Sequence, residues 1–388
     1  MTAKTDALEI AKQMIACPSV TPAEAGAFEP VRSLLEPLGF KAEREDTPNG
    51  TSNLWIRRGD AEPLFVFAGH VDVVPPGDES LWSVKPFEPV VKDGKFFGRG
   101  SSDMKTSDAA FAAAAAEFVS EHPDHRGSIA LLLTSDEEGD GDEGTVRVAE
   151  KLQKDGVRFR WCVVGEPSCS EKLGDTIKVG RRGSLNATVV FTGKQGHVAY
   201  PQKCVNPIHA AAKAMASLAS RVWDEGDDVF PPTSFQVSNF HSGVGAVNVV
   251  PGAAEVKFNL RYSAAWEPEA LRAEIERMMD EAVAGTGAKW EARWRVNARP
   301  FVTRTRGEGS LAGELASVIR EVTGAEAQLS TSGGTSDARF LAPMSDETLE
   351  FGPTNGTIHS PDEHIGAGEP EQLKRIYKGL LERLLLKP

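Results

Sequence analysis

Several features that define other classes of protein are scarce or absent in this sequence. The four cysteines show neither a CxxC pair nor a disulfide spacing, which fits a reducing compartment. No apolar run approaches the ~20 residues that a membrane span requires. The N-terminus has no basic segment followed by an apolar one, so it carries no sign of a secretory signal. We therefore expect a soluble, cytoplasmic protein.

Basic residues are also fewer than acidic residues. The chain has 43 basic and 56 acidic residues, a net charge of −13, and no cluster of lysine or arginine stands out against this background. A surface of this kind repels nucleic acid and anionic membranes. We expect neither as a partner and look instead for a small-molecule substrate.

The signatures of nucleophilic and phosphate-binding sites are missing as well. No Gly-x-Ser-x-Gly elbow precedes a predicted helix, and none of the cysteines has an activating setting. The segment 333–337, Gly-Gly-Thr-Ser-Asp, is rich in glycine but does not match a Gly-x4-Gly-Lys-Ser/Thr loop.

The 388 residues exceed what one ordinary core accommodates, which favours two domains. Continuous apolar runs that alternate with helical stretches predict a mostly parallel sheet covered by helices. The predicted strands are 64–68, 129–134 and 161–164, and the predicted helices are 7–16, 106–120, 145–154, 310–322 and 369–386. The first of these helices begins at a capping box formed by Asp6 and Glu9.

The pattern changes near Gly183 to strand, helix, strand, strand, helix, strand. This order predicts an inserted α+β domain of ferredoxin-like topology. Its strands are predicted at 185–191, 234–240, 254–261 and 289–296, and its helices at 207–222 and 267–284. We expect a catalytic domain made of 1–182 and 298–388 and an inserted domain at 183–297.

Acidic and imidazole side chains follow the predicted strands. His70, Glu137 and Glu166 each come just after an apolar run, and ligands of such sheets lie beyond the carboxyl ends of the strands. Further candidates are Glu138 next to Glu137, Asp103 in a glycine-rich turn, and His359. Amide hydrolysis needs a better nucleophile than free water, and a divalent metal provides one by lowering the pKa of bound water to about 7. The set suffices for two metals if one carboxylate bridges them, with one glutamate left as a base.

Simpler interpretations remain open for each segment taken alone. His70-Val-Asp72 also fits a capped turn, although Asp72 is well placed to orient the imidazole ring. Glu137 and Glu138, next to Asp136, also fit a solvated acidic face. Because adjacent residues leaving a strand point in opposite directions, one of the two glutamates can bind metal while the other faces the substrate. His197, in the tight segment 196–201, is by itself most simply a structural histidine.

Together these segments resemble the two-zinc deacylase and exopeptidase superfamily of acetylornithine deacetylase, aminoacylase and carboxypeptidase G. Along its whole length the chain more closely resembles the bacterial succinyl-diaminopimelate desuccinylase family. The blocks that carry this closer resemblance are 180–184, 196–201, 230–234, 258–262, 333–340 and 351–359.

The resemblance implies roles for the metal candidates. It implies one zinc at His70 and Glu166 and a second at Glu138 and His359, with cobalt as another metal that such sites accept. It further implies that Asp103 bridges the two metals and precedes a cis peptide bond to Met104. Asp72 is then the support of His70, and Glu137 is the general base.

The resemblance also implies a homodimer formed through the inserted domain, with His197 acting in trans on the oxyanion of the partner chain's substrate. The positions that match substrate contacts of the family are Arg181, Ser184, Tyr200, Asn248, Arg261, Gly334, Thr335 and Asn355. Val247 departs from the asparagine that some members have there, which puts one contact from the partner chain in doubt. Arg182 is interpreted as a surface or structural residue, because it points away from its neighbour Arg181.

The activity implied is hydrolysis of N-succinyl-L,L-2,6-diaminopimelate to succinate and L,L-2,6-diaminopimelate, a step in lysine and cell-wall synthesis. Guanidinium groups suit the three carboxylates of this substrate. The alternative within the superfamily is acetylornithine deacetylase or another N-acyl-amino-acid deacylase. The alternative of another class is a peptide-binding homologue without catalysis, against which the complete ligand set and the additional base argue.

Overall fold

A computed structural model describes residues 5–386, which form two compact units. The first unit comprises the chain up to Gly180, Val302–Ser330 and the chain from Ser336 onward, and the second comprises Arg181–Phe301 and Thr331–Thr335. The assignment of 1–182 and 298–388 to catalysis and of 183–297 to dimerisation stays a prediction.

The described residues form long helices at apolar-periodic or alanine-rich stretches, and the short helices α2 and α8 as well. They are α1 Ala7–Ile15, α2 Glu29–Leu35, α3 Lys105–Glu121, α4 Thr145–Lys154, α5 Pro207–Ser220, α6 Pro268–Val283, α7 Leu311–Thr323, α8 Ala338–Leu341 and α9 Glu369–Leu385. None of them combines the length and the apolar character needed to cross a membrane.

The described residues also form β-strands. They are β1 Lys41–Asp46, β2 Ser52–Arg58, β3 Leu64–His70, β4 Val90–Lys92, β5 Lys95–Phe97, β6 Ser128–Thr134, β7 Phe159–Val164, β8 Thr176–Lys178, β9 Gly180–Arg181, β10 Gly183–Thr192, β11 Gly196–His197, β12 Ser234–Ser242, β13 Val249–Val250, β14 Ala253–Tyr262, β15 Lys289–Ala298, β16 Phe301–Val302, β17 Gln328–Ser330, β18 Ser345–Glu350 and β19 His364–Gly366.

The first unit is built on an eight-stranded sheet in the order β1-β2-β6-β3-β7-β18-β8-β17. Its central strands β6, β3, β7 and β18 run parallel, and β3 and β6 are buried along their whole length. The alanines of α3 let this helix pack closely on β3 and against α1 and α9. The predicted fold class, a mostly parallel sheet covered by helices, is confirmed.

The second unit contains a four-stranded antiparallel sheet in the order β12-β14-β10-β15 and the helices α5 and α6. Alternate residues of β10 are buried, as expected for a sheet with one covered face. Leu185, Val189 and Phe191 join residues of both helices in one apolar core. The strand-helix-strand-strand-helix-strand order predicted for this unit is the one observed.

Candidate metal centre

His70 ends the buried strand β3, and its imidazole is held at both nitrogen atoms. Nδ1 lies 2.9 Å from the main-chain oxygen of Asp72 and 3.6 Å from the Asp72 carboxylate. Nε2 lies 3.1 Å from Oδ1 of Asp103. With His70 only 1% exposed, the ring has one orientation, and Nε2 is the nitrogen turned toward the other candidate ligands.

Asp103 lies between the two imidazoles. Its Oδ1 faces Nε2 of His70, and its Oδ2 lies 3.5 Å from Nε2 of His359. The peptide bond from Asp103 to Met104 is cis, as the family resemblance implied. A carboxylate that presents one oxygen to each of two imidazoles has the arrangement expected of a bridge between two metals.

Glu137 and Glu138 follow β6 in a turn that the Asp72 side chain holds in place. The Asp72 carboxylate accepts hydrogen bonds from both main-chain N–H groups, at 3.3 Å from Glu137 and 3.0 Å from Glu138. The Glu138 side chain then reaches Nε2 of His359 at 2.9 Å. Asp72 therefore supports the site twice, through the ring of His70 and through this turn.

Glu166 follows β7 and enters the site next to a tightly packed glycine. A Cβ at Gly165 would lie 2.5 Å from Phe67 and 2.7 Å from Ser107, so only glycine allows this approach. Oε1 of Glu166 is buried and has no hydrogen-bond partner. A buried carboxylate oxygen without a donor is costly unless a cation binds it.

His359 lies on an exposed loop after β18 and has a left-handed backbone, with φ of 59°. Histidine is among the residues enriched in this region, which is uncommon outside glycine. The loop conformation directs Nε2 toward Glu138 and Asp103. These two carboxylates raise the pKa of His359 to about 10 by accepting its hydrogen bonds.

The carboxylates of the site shift each other's protonation. Burial, then the charges of Asp337, Glu138 and Asp103, raises the pKa of Glu137 well above its usual value. Burial and the charges of Glu137 and Asp103 do the same for Glu166, and burial raises the pKa of Asp72 to about 6. Without a cation, this many acidic groups cannot all be ionised together.

The residues fit divalent metals by their chemistry and by their placement. Imidazole nitrogens and carboxylate oxygens are the donors that Zn²⁺ takes. Candidate ligand atoms lie within 4.8 Å of one another in two groups, His70 with Glu137 and Glu166, and His70 with Asp103 and Glu138. Cations at these groups would meet the unpartnered oxygen of Glu166 and offset the like charges. The first group contains Glu137, so its role as base rather than ligand is a point for experiment.

Glu363 is a residue of this site that the sequence analysis missed. It is 1% exposed, and its Oε1 accepts hydrogen bonds from the main-chain N–H groups of Ser102 and Asp103, at 2.8 and 3.0 Å. Its Oε2 accepts from Gly100 N–H at 3.0 Å and from Nη1 of Arg99 at 2.7 Å. One carboxylate thus holds the whole turn that carries Asp103.

We expect Glu363→Gln to destabilise the fold and to weaken metal binding. The amide has no negative charge opposite Arg99, and its NH₂ group would face N–H donors. The free energy of unfolding should therefore fall by about 3–5 kcal/mol. Displacement of Asp103 should weaken metal binding about 10- to 100-fold. Denaturant unfolding and metal titration measure the two effects.

Glu347→Gln is the matched control for this prediction. Glu347 is also a buried carboxylate, 3% exposed, that accepts a main-chain hydrogen bond from Leu311. Its loss should lower stability without changing metal affinity. If Glu363→Gln retained wild-type metal affinity, the positioning role of Glu363 would be wrong.

In the second unit, three predicted residues lie on or next to the short ribbon formed by β11 and β13. His197 is exposed, and its Nδ1 accepts a hydrogen bond from Ala199 N–H at 3.1 Å. Tyr200 lies beside it, with 5.8 Å between the ring centroids, and the main-chain oxygen of Asn248 accepts from Val198 N–H at 3.1 Å. Val247 is fully exposed, at 100%.

The remaining predicted substrate contacts lie in three places. Nη1 of Arg181 donates to the main-chain oxygen of Ser332 at 2.8 Å, in the segment that also carries Gly334 and Thr335. Ser184 and Arg261 are directly opposite each other on β10 and β14. Asn355 belongs to the first unit, where its main-chain N–H donates to Cys169 at 2.9 Å. Their contacts with substrate stay predictions.

The fold and the carboxylate-rich site define a metal-dependent hydrolase, and the chain belongs to peptidase family M20/M25/M40, whose model matches residues 66–383. Relatives named succinyl-diaminopimelate desuccinylase are similar over almost the whole length. The one from Thioalkalivibrio sulfidiphilus is 48% identical, over 98% of this chain and 100% of its own. The one from Aromatoleum aromaticum is 50% identical, over 97% of this chain and 96% of its own.

Solved structures share the fold at lower identity. An aminopeptidase from Bacillus cereus has a TM-score of 0.79 and 21% identity, covering 98% of this chain and 99% of its own. An M20 family metallo-carboxypeptidase from Sulfolobus solfataricus has a TM-score of 0.77 and 18% identity, covering 97% and 98%. At these identities the likeness concerns the fold alone.

Proposed function

We propose that this chain hydrolyses the succinyl amide of N-succinyl-L,L-2,6-diaminopimelate, giving succinate and L,L-2,6-diaminopimelate for lysine and cell-wall synthesis. The observation that carries the proposal is the 48–50% identity, over 97–98% of this chain, to relatives named for that reaction. The cluster of acidic and imidazole side chains at the carboxyl ends of β3, β6 and β7 supports it, because it offers what amide hydrolysis requires.

The chain would hold two divalent metals, with Zn²⁺ as the first choice and Co²⁺ as the alternative. His70 and Glu166 would hold one, Glu138 and His359 the other, and Asp103 both. When bound, the metals acidify water and polarise the scissile carbonyl. Asp72 keeps the ring of His70 and the turn of Glu138 in place for them.

Glu137 would move the proton. It takes one proton from the attacking water as the new C–O bond forms, and gives it to the nitrogen as the C–N bond breaks. Burial is the first cause of the raised pKa of Glu137, which makes its carboxylate a stronger base toward the attacking water. His197 of a second chain would donate a hydrogen bond to the oxyanion.

The test is an assay of the purified protein on two substrates, N-succinyl-L,L-2,6-diaminopimelate and N-acetylornithine. The proposal expects hydrolysis of the first to be faster by orders of magnitude in kcat/KM. A preference for the acetylated compound would replace the proposal with another deacylase, and no hydrolysis of any acylated amino acid would favour a binding protein.

We expect metal removal to abolish activity and zinc to restore it, with a stoichiometry of two per chain. The reason is that the site has ligands for two cations and one carboxylate, Asp103, placed between them. Metal analysis after reconstitution with zinc and desalting counts the ions directly. Thermal unfolding gives a second readout, because ions that bind the folded state raise Tm. Full activity with at most one ion per chain would contradict the bridged arrangement.

A further inference from the structure

The loop that carries His359 is closed at its base by one buried carboxylate, that of Glu369. Glu369 is the first residue of α9 and is 8% exposed. Its Oε2 accepts a hydrogen bond from Thr354 N–H at 3.1 Å. Its Oε1 accepts from Oγ1 of Thr354 at 3.0 Å and from Gly366 N–H at 2.9 Å. One side chain therefore holds both the start and the end of the segment 354–366.

A contact inside the loop is joined to the same carboxylate. Oγ1 of Thr357 donates to the main-chain oxygen of His364 at 2.8 Å and accepts from His364 N–H at 2.9 Å. His364 is the first residue of β19, and Gly366, whose N–H is bound by Glu369, is the last. The backbone on both sides of His359 is thus connected to Glu369.

A carboxylate suits this position because all three of its partners are donors. A carboxylate accepts at both oxygens, whereas the amide of glutamine would turn an NH₂ group toward one of these donors. The position in the first turn of α9 adds a favourable interaction with the N-terminal end of the helix. The N-cap residue of this helix, Gly368, has no side chain that could do the same.

Glu363 lies in the same loop but holds a different ligand. Its carboxylate binds the turn of Asp103 through the three main-chain N–H groups and the arginine described above, and none of these bonds involves Glu369. A change at Glu369 should therefore leave the turn of Asp103 in place. The part of the loop that it should displace is the part that carries His359.

We infer that Glu369 is a positioning residue for His359, and that it acts through Thr354 and Gly366 at the two ends of the loop. The inference rests on the proposed function for the presence of the metal that His359 and Glu138 would hold. Because His359 is exposed and lies on a loop, its place beside Glu138 depends on how the loop is anchored.

We expect Glu369→Gln to weaken the binding of one metal about 10- to 100-fold and to change the binding of the other less than about threefold. The weakened metal is the one that His359 and Glu138 would hold. The variant should still fold, because the main-chain oxygen of Thr354 keeps its hydrogen bond from Oγ of Ser102 at 2.6 Å. Calorimetric titration of zinc into the metal-free protein measures the two affinities.

Glu347→Gln is the matched control here as well. Glu347 is a buried carboxylate that accepts a hydrogen bond from the N–H of Leu311, the first residue of α7. Its loss should lower Tm and leave both zinc affinities unchanged, and a merely structural Glu369 would give the same result. Glu363→Gln should differ from both, because displacement of the bridging Asp103 weakens both metals.

Thr354→Val is a second, milder variant that tests the same contact. Valine has the shape of threonine and keeps the main-chain N–H that Oε2 of Glu369 accepts, so only the bond from Oγ1 is lost. We expect the same metal to bind about three- to tenfold more weakly. Added to Glu369→Gln, the substitution should cause little further loss, because both changes remove one shared contact.

Two results would overturn the inference: both zinc affinities of Glu369→Gln and Thr354→Val equal to those of the wild type, or equal losses at both metals in the two variants. A wild type that binds only one zinc would overturn it together with the two-metal arrangement. Hydrolysis of another acylated amino acid in place of the succinylated compound would overturn the proposed substrate alone, since the zinc titration does not depend on the substrate.

Discussion

Glu137→Gln is expected to lower kcat by about 100-fold or more while the protein keeps its full metal content. The substitution removes the group that we propose accepts and returns the proton, a contribution typically of 10²–10⁴ in rate. Glutamine has the same shape, so the turn fixed by Asp72 through the main-chain N–H of Glu137 should persist. The measurement is kcat together with metal analysis of the same preparation.

Glu138→Gln is the neighbouring control. Its carboxylate contacts Nε2 of His359 and its main chain is held by the same residue, Asp72. We expect this variant to lose one of two metals, with activity restored in part by excess zinc. The two adjacent substitutions therefore separate a base from a ligand.

Because Glu137 lies in a group of candidate ligands with His70 and Glu166, the Glu137→Gln experiment also tests whether Glu137 binds metal. If Glu137→Gln loses a metal, Glu137 is a ligand and the base lies elsewhere. If the variant keeps near wild-type kcat, no proton transfer depends on Glu137. Either result would require a different assignment of the two glutamates.

The regular elements were predictable because their patterns are local. Each predicted helix and strand is present, with ends that differ by at most two residues, as for α4 at Thr145–Lys154 and β3 at Leu64–His70. The dependence on local pattern also explains why some strands were not predicted. β1, with the sequence Lys-Ala-Glu-Arg-Glu-Asp, and β18 carry several charges and have no apolar run, so their strand structure depends on pairing with neighbours.

The metal candidates could be found because they lie at strand ends that a parallel sheet brings to one edge. Glu363 could not, since its function depends on main-chain N–H groups about 260 residues earlier, at Ser102 and Asp103.

We expect loss of the His197 side chain to abolish activity almost as fully as loss of the Glu137 carboxylate. We also expect His197 to act on the other chain of a homodimer. His197 lies in the second unit, far in sequence from every candidate metal ligand, and is exposed. Its Nδ1 accepts a hydrogen bond from Ala199, which leaves the proton of the neutral ring on Nε2. An exposed Nε2–H can donate to an oxyanion, and Val198 and Tyr200 expose apolar surface beside it, at 46% and 52%.

Complementation between two inactive variants tests this trans action. His197→Ala and Glu137→Gln should each be nearly inactive as homodimers. A mixed dimer has one site with the intact metal core of the His197→Ala chain and the His197 of the other chain, whereas its second site carries both defects. Random mixing in equal amounts makes half of the dimers mixed, with one good site of two, so activity should recover to about a quarter of wild type.

The chains must be co-expressed or refolded together so that they exchange, and mass analysis verifies the mixed species. Verified mixed dimers as inactive as their parents would place His197 within its own chain's site or outside the reaction.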